Sequence, residues 1–218
     1  MRDDSGIMEL AGRLESALPE GRVVADVERL GRYARDETPD LERAPDICVE
    51  AQSTGEVSTV LRLCSEFHVP VTPRGGGTGV AGGAVPVTGG VVLSTAAMNR
   101  ILEIDALNMT ATVEPGVITG DLRRAARNAG LMYPPDPSSL DSCSIGGNVA
   151  VGAGGPAAVK YGTTRDYVIG LEFVLADGSV HTAGGKFIKN ATGYSLIGLL
   201  IGSEGTLAVI TRLTVKLV

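Results

Sequence analysis

The chain has 218 residues, which is enough for one large domain or two small lobes with a sizeable core. With 19 basic and 25 acidic residues, a net charge of −6 and 4% aromatic residues, it lacks the basic surface and stacking platform of nucleic-acid-binding proteins. No apolar run reaches membrane-spanning length, residues 1–6 lack the order of a secretory signal, and three widely spaced cysteines (Cys48, Cys64, Cys143) indicate a reducing compartment. We therefore expect a cytoplasmic protein without a transmembrane segment, nucleic-acid partner or metal site.

The first part of the chain predicts a strand–helix–strand unit. Apolar residues at helical spacing over 7–18 predict a first helix, and the charged segment 26–41 is interpreted as a solvated face. A strand over 46–50 precedes a helix whose start carries a capping box, Ser53 with Glu56, and a second strand follows at 69–72. In such a unit, ligands bind beyond the carboxyl end of the second strand.

A glycine-rich loop, residues 73–83, occupies this position. It is not a P-loop, because no Gly-Lys-Ser/Thr sequence follows. Residues 77–82 match the dinucleotide fingerprint G-x-G-x-x-G, but that fingerprint needs a helix to begin at its third glycine, Gly82. Pro86, Gly89 and Gly90 follow and disfavour a helix, so the match is weak. Closely spaced glycines let consecutive backbone N–H groups approach and surround an anion such as a diphosphate. The alternative is a flexible surface loop.

The remainder of the chain predicts a mixed α+β order. Thr119 is expected to cap a helix that Gly130 closes, and residues 143–156 form a second glycine-dense loop, too irregular for a strand. Asp177-Gly178 predicts a hairpin turn. The remaining predicted strands are 91–93, 101–105, 110–114, 168–175, 180–182 and 207–218, with a short helix at 195–200 and a compact turn at 202–207.

Three separated stretches share one family resemblance: PRGGGTG at 73–79, CSIGGNVA at 143–150 and IGSEGTLAVI at 201–210. They resemble the FAD-binding domain of the vanillyl-alcohol oxidase/p-cresol methylhydroxylase (PCMH-type) superfamily, in the form found in glycolate oxidase FAD subunits and D-lactate or D-2-hydroxyacid dehydrogenases. The resemblance implies one α+β domain over 1–218. Its first lobe (about 20–95) contains the βαβ unit, and its second (about 96–218) has a mixed or antiparallel sheet with flanking helices.

The same resemblance implies a set of FAD-binding residues. The first loop would surround the pyrophosphate by backbone N–H groups, the second stretch would hold the pyrophosphate and flavin from the other lobe, and the third would line the ribityl-to-adenine side. In this sequence the implied residues are Arg74, Gly75, Gly76, Gly77, Thr78, Gly79, Pro137, Ser144, Gly146, Gly147, Asn148, Ala153, Gly154, Glu204, Gly205 and Ile210.

Two departures from the family pattern bear on chemistry. Members with covalent FAD often have His where Thr78 stands or Cys in the second loop, so Thr78 and an ordinary packed Cys143 favour non-covalent FAD. The family's substrate (cap) domain follows the final strand, and we expect it to be absent from this chain. The two histidines, His68 and His181, are interpreted as surface or structurally satisfied residues, so no catalytic residue is assigned.

The resemblance implies an FAD-linked oxidoreductase that oxidises a 2-hydroxy acid of the glycolate or D-lactate type, with hydride transfer to FAD. A partner subunit or the cap domain would complete the active site, and a partner could hold the protein at a membrane surface. Two alternatives stay open. One is a non-catalytic or partner-dependent subunit that keeps the fold, and the other is an NADPH-fed flavin reductase of the same fold, like UDP-N-acetylmuramate reductases.

Overall fold

The computed structural model describes residues 4–218, which form helices and two β-sheets. The expectation about the first residues of the chain therefore lies partly outside the described range. The helices are α1 (Asp4–Ala17), α2 (Val27–Leu30), α3 (Thr54–Glu66), α4 (Thr119–Asn128), α5 (Ile145–Val151), α6 (Ala158–Tyr161) and α7 (Leu196–Leu200), with 3-10 turns at Gly31–Tyr33 and Thr164–Asp166. The strands are β1 (Val23–Val24), β2 (Ile47–Glu50), β3 (Val71–Arg74), β4 (Val91–Ser94), β5 (Ile101–Asp105), β6 (Thr110–Val113), β7 (Val168–Val174), β8 (Val180–Gly184) and β9 (Val209–Lys216).

The first sheet has the order β1-β2-β4-β3. Strands β2, β4 and β3 are parallel, and β1 pairs antiparallel with the outer side of β2. The βαβ unit β2–α3–β3 is present as predicted, but β4 inserts between its two strands. As a result β3 lies at a sheet edge, and the glycine-rich loop follows from that edge.

Helix α3 shows how local sequence starts an element. The hydroxyl of Ser53 accepts a hydrogen bond from the Glu56 backbone N–H at 3.2 Å, as the predicted cap requires. The Glu56 carboxylate accepts from the backbone N–H of Gln52 and from the Arg22 side chain, at 2.8 and 2.9 Å. The reciprocal half of the capping box thus reaches one residue further back than expected.

The second sheet is antiparallel throughout, in the order β5-β6-β9-β7-β8. The segment after β8 reaches the other edge of the sheet, since the Lys186 ammonium group lies 2.7 Å from Glu103 and 2.9 Å from Asp105 on β5. These ion pairs link the two edges of the sheet, which strand twist turns towards each other. The predicted α+β class, with a parallel first unit and an antiparallel second sheet, is confirmed.

The two sheets are joined through α3. Val57 and Val60 of this helix are fully buried in a cluster that also contains Val174 of β7 and Val209 of β9. At the helix start, the Thr54 hydroxyl donates to the Glu172 carboxylate at 2.7 Å. A second apolar cluster lies between the antiparallel sheet and α4 and α5. The sheets are therefore held in a fixed relation, which fixes the distance between the loops that leave them. The lobe boundaries at about 95/96 stay a prediction.

Three local predictions were wrong. Thr119 does not cap α4, because Ile118 is the N-cap residue and Thr119 is fully buried with its hydroxyl bonded to Cys143 O and to the Asn148 amide. The second glycine stretch is not an irregular loop but contains α5. The charged segment 26–41 is not simply solvated, since Leu30, Tyr33, Ala34 and Asp36 are buried in it.

Within residues 4–218, no helix combines the length and apolarity needed to cross a lipid bilayer.

Candidate cofactor-binding site

A cavity of about 310 Å³ opens where the glycine-rich loop, α5 and the turn before β9 meet. Its size falls in the range of small-molecule and cofactor sites. All but one of the residues implied for binding line this cavity; the exception is Gly154, where an added Cβ would face Thr163 and Ala158. The structure thus brings together residues from three stretches that are far apart in sequence.

The glycine-rich loop presents free backbone donors to this cavity. In the described chain, the backbone N–H groups of Gly75, Gly77, Thr78 and Gly79 donate to no protein acceptor, whereas the N–H of Gly76 donates to Ser144 Oγ at 3.2 Å. Gly77 has a φ of +68°, which turns the loop at a backbone conformation that favours glycine. A row of unpaired N–H groups on a turn is an anion-binding arrangement.

Arg74 adds a cation at the start of this loop. Its side chain lines the cavity, donates to the Ala84 carbonyl at 3.2 Å and lies 6.0 Å from the Tyr33 ring centre. No carboxylate of the described chain lies within 4.0 Å of its guanidinium group. Burial lowers the pKa of Arg74, and the charge of Asp36 partly offsets this effect. A half-buried guanidinium without an ion pair favours an anionic ligand.

The first loop and α5 are in direct contact. A Cβ atom on Gly75 would overlap Ser144 Oγ, and one on Gly76 would lie 2.8 Å from the Ser142 carbonyl oxygen. Only glycine permits the two segments to approach this closely at these positions.

Helix α5 begins at the second glycine stretch because its backbone groups are satisfied locally. The N–H groups of Gly146, Gly147 and Asn148 donate to Pro115 O, Ser144 Oγ and Ser144 O, at 2.8, 3.3 and 3.0 Å. The Asn148 side-chain amide donates to Thr119 Oγ1 at 2.6 Å. These groups are occupied within the protein, so the free backbone donors of the cavity come from the first loop rather than equally from both.

The third stretch lines the cavity beside the first loop. Glu204 (φ +52°) and Gly205 (φ +79°) both have left-handed backbone conformations, and the Glu204 N–H donates to Ala150 O at 2.8 Å. A Cβ on Gly83 would lie 2.8 Å from the Glu204 carboxylate, so this side chain reaches the glycine-rich loop. Ile210 follows at a β-bulge, where the pairing of β9 with β7 shifts register. Strained turns and bulges are common beside binding sites.

Sequence reasoning missed Asp36. This residue is 8% exposed and lines the cavity, and its Oδ2 atom has no hydrogen-bond partner among residues 4–218. Oδ1 accepts from the Thr38 N–H at 2.9 Å, and the adjacent Glu37 N–H donates to the Gly79 carbonyl at 3.0 Å. The Asp-x-Thr turn was visible in the sequence as a local pattern, but its docking against the glycine-rich loop depends on tertiary structure.

The cysteines and histidines have no reactive arrangement here. Cys143 is buried beside the cavity, where its sulfur donates to Thr119 Oγ1 at 3.4 Å. His68 (φ +53°) ends α3, and the exposed His181 stacks on Phe173; neither lines the cavity. Among the residues that the structure describes, no group of three His, Cys, Asp or Glu side chains could hold a metal ion. The candidate ligand-binding groups of the cavity are therefore the N–H groups of the first loop and the Arg74 guanidinium.

Several named proteins are similar in sequence to most of this chain. It is 52% identical over 186 residues to the glycolate oxidase subunit GlcD of Bacillus subtilis, covering 85% of this chain and 40% of that protein. It is 50% identical over 189 residues to a D-lactate dehydrogenase of Archaeoglobus fulgidus, covering 85% and 42%. A D-2-hydroxyglutarate dehydrogenase of Stutzerimonas stutzeri is 38% identical over 208 residues, covering 95% and 45%. The chain thus spans less than half the length of these relatives.

Solved structures confirm the PCMH-type fold. A substrate-bound p-cresol methylhydroxylase superposes with a TM-score of 0.85 at 24% identity, covering 98% of this chain and 44% of that one. The 4-ethylphenol oxidase of Gulosibacter chungangensis gives 0.86 at 26% identity, covering 99% and 43%. The family model described as "FAD binding domain" matches residues 45–184, which include β2 through β8 and both glycine stretches. The chain therefore belongs to the FAD binding domain family and has the α+β fold of PCMH-type flavoproteins.

Proposed function

We propose that the cavity binds one FAD without a covalent bond, as the flavin-binding part of an oxidoreductase that acts on a small 2-hydroxy acid. The observation that supports this most is the row of N–H groups at Gly75, Gly77, Thr78 and Gly79, which have no acceptor in the described chain, beside the Arg74 guanidinium, whose one bond there is to Ala84 O. Together they offer the donors and the positive charge that a diphosphate requires. When bound, FAD supplies the electron acceptor of the reaction.

The residues of the cavity would have different tasks. The first loop would bind the diphosphate through its free N–H groups, with Arg74 as the counter-charge. Gly146 and Gly147 line the cavity without side chains, and their own N–H groups are already bonded within the protein, so they would offer the ligand backbone contact rather than hydrogen bonds. Glu204, Gly205 and Ile210 would complete the lining with Pro137, Asn148 and Ala153. Gly154 lies outside the cavity lining, and we assign it no contact.

Non-covalent binding follows from the side chains near the cavity. Thr78 has a hydroxyl group, which is not a usual site of flavin attachment. The sulfur of Cys143 lies in a buried cluster with Thr119 and Asn148. A thiol packed in this way behaves as a small apolar residue rather than as a nucleophile.

The choice of substrate rests on the relatives. Their names specify glycolate, D-lactate and D-2-hydroxyglutarate, which are all 2-hydroxy acids. Because this chain covers about 40 to 45% of their lengths, we infer that residues outside it select the acid and carry the proton chemistry. GlcD is named as a subunit, so a partner polypeptide is one possible source of those residues, and we propose a reducing, cytoplasmic setting for the assembly.

Absorbance spectroscopy tests the cofactor proposal. The purified chain should show flavin bands between 350 and 500 nm, or gain a saturable FAD signal when the cofactor-free protein is titrated. Acid precipitation should release the flavin into the supernatant, whereas a covalent flavin would stay with the pellet. A folded protein that binds no FAD at micromolar concentrations would contradict the proposal and favour a non-catalytic subunit that keeps the fold.

The reaction is tested on the full-length natural protein with any partner it requires. Anaerobic bleaching of the flavin by glycolate, D-lactate or D-2-hydroxyglutarate would support the proposed chemistry and identify the acid. Bleaching by NADPH, with none of the acids active, would instead favour a flavin reductase.

A further inference from the structure

Asp36 carries a buried acceptor that no donor of the described residues satisfies. The residue is more than nine-tenths buried, and within residues 4–218 Oδ2 has no hydrogen-bond partner, as is also true of the nearby Thr38 hydroxyl. A buried acceptor without a donor costs free energy, and the cost is larger when the group is charged. Such a group calls for an explanation, and a ligand of the adjoining cavity can supply the missing donor.

The position of Oδ2 indicates where that donor would come from. Asp36 is part of the cavity wall, and a Cβ built on Gly79 would lie 4.0 Å from Oδ2. The Glu37 N–H bond to Gly79 O holds the two segments together. Oδ2 thus lies next to the same part of the loop whose free N–H groups suit a diphosphate.

The charge of Asp36 limits the ligand group that can face it. A carboxylate repels phosphate oxygens, so the diphosphate itself would stay with Arg74 and the loop N–H groups. The group beside Oδ2 must be a neutral donor. In FAD the neutral groups that directly flank the diphosphate on both sides are sugar hydroxyls, those of the ribityl chain and of the adenosine ribose.

We propose that Asp36 is a specificity-determining residue of the FAD site, and that Oδ2 accepts a hydrogen bond from a sugar hydroxyl flanking the diphosphate. This inference rests on the proposed function. In this arrangement Arg74 binds the phosphate groups of the ligand, and Asp36 binds the sugar hydroxyl next to them.

The test compares Asp36→Asn with Glu37→Gln. Both substitutions remove one negative charge, but the exposed Glu37 side chain does not line the cavity and its backbone bond to Gly79 is kept. Titration calorimetry on the cofactor-free proteins should show FAD binding roughly tenfold or more weaker in Asp36→Asn, as expected for a hydrogen bond to a charged group. In Glu37→Gln the change should be less than about twofold.

A second measurement separates this role from a structural one. Because Oδ2 is unpaired in the protein alone, Asp36→Asn should not lower the thermal midpoint of the cofactor-free protein, and Asn can still accept from the Thr38 N–H. Only the rise in midpoint on adding FAD should shrink. A variant that loses apo stability and FAD affinity together would show that Asp36 acts on the fold, which would overturn the inference.

Two fragments of the cofactor identify the hydroxyl. Weaker binding of ADP with unchanged FMN binding would indicate the ribose, and the reverse would indicate the ribityl chain. Unchanged FAD affinity in Asp36→Asn, with normal binding by the wild type, would overturn the inference while leaving the proposed function intact. Failure of the wild-type protein to bind FAD would overturn both.

Discussion

The backbone N–H of Gly76 donates a hydrogen bond to Ser144 Oγ at 3.2 Å, across 68 positions of sequence. The same oxygen accepts from the Gly147 N–H at 3.3 Å and so serves as the N-cap of α5. One hydroxyl therefore begins the helix and holds the glycine-rich loop against it. Both residues line the candidate FAD cavity, and both also line a second cavity that includes Asn99 and Asp121.

The double use of this hydroxyl predicts two separable effects of Ser144→Ala. Loss of an N-cap costs about 1 kcal/mol, which corresponds to a fall of roughly 2–4 °C in thermal midpoint for a domain of this size. Loss of the Gly76 bond should also free the loop and weaken FAD binding by roughly threefold to tenfold. Differential scanning fluorimetry and FAD titration measure the two effects.

The chain provides a matched control in Ser195→Ala. Ser195 caps α7 through the Gly198 N–H at 3.0 Å but does not line the cavity. It should lower the midpoint by a similar amount and leave FAD affinity unchanged. Equal losses of FAD affinity in both variants would show that the Gly76–Ser144 bond has no special part in the site.

Gly77→Ala should damage the site more than its backbone strain alone explains. Any non-glycine residue at a left-handed φ costs about 1–2 kcal/mol, and a Cβ on Gly77 would also overlap the Arg74 guanidinium group. Displacement of Arg74 should reduce FAD affinity by tenfold or more. In Gly130→Ala, the φ is +76° but nothing lies within 4 Å of the added Cβ, so stability should fall while FAD affinity is kept. Matching affinities in the two variants would contradict this account.

Arg74→Met tests whether the guanidinium serves the ligand or the fold. Its one described side-chain hydrogen bond is to Ala84 O, so the midpoint of the cofactor-free protein should change by less than about 3 °C. FAD binding should weaken by at least tenfold, and the remaining binding should depend less on salt. Arg32→Met is a suitable control, because Arg32 lies over the same Tyr33 ring at 4.8 Å but outside the cavity. A large fall in apo stability with unchanged FAD affinity would assign Arg74 to the fold.

The residues that line the cavity could be predicted from the sequence more completely than the local secondary structure around them. Glycine spacing and the position of the first loop after β3 predicted a ligand-binding loop, because a backbone can approach a ligand closely only where side chains are absent. Helix α5 could not be predicted in this way, because Gly146 and Gly147 disfavour a helix locally. It forms through the Ser144 cap and through packing on Pro115. At α5, tertiary contacts therefore outweigh the low helix propensity of its glycines.

Asp36 and Thr119 were misjudged for a related reason. Polar residues in a charged or cap-like context are read as exposed or as local caps, but these two side chains are 8% and 0% exposed. The partners that bury them come from segments distant in sequence: Gly79 for Asp36, and Cys143 and Asn148 for Thr119. Periodicity within one segment does not contain that information.

The ion pairs between Lys186 and strand β5 predict a pH-dependent effect of Lys186→Met. Hydrogen bonds from Asn108, and then from Lys186, hold the pKa of Asp105 well below its usual value. A carboxylate with a lowered pKa in the folded state stabilises the protein above its unfolded pKa of about 3.9, and this contribution is lost as the pH falls towards the folded value. The midpoint difference between wild type and Lys186→Met should therefore be larger at pH 6 than at pH 3.

Lys189→Met is the control, since Lys189 is exposed and has no carboxylate within 4.0 Å in the described chain; it should show no such trend. A difference for Lys186→Met that is independent of pH would indicate that the loss comes from side-chain packing and not from the charge of Asp105.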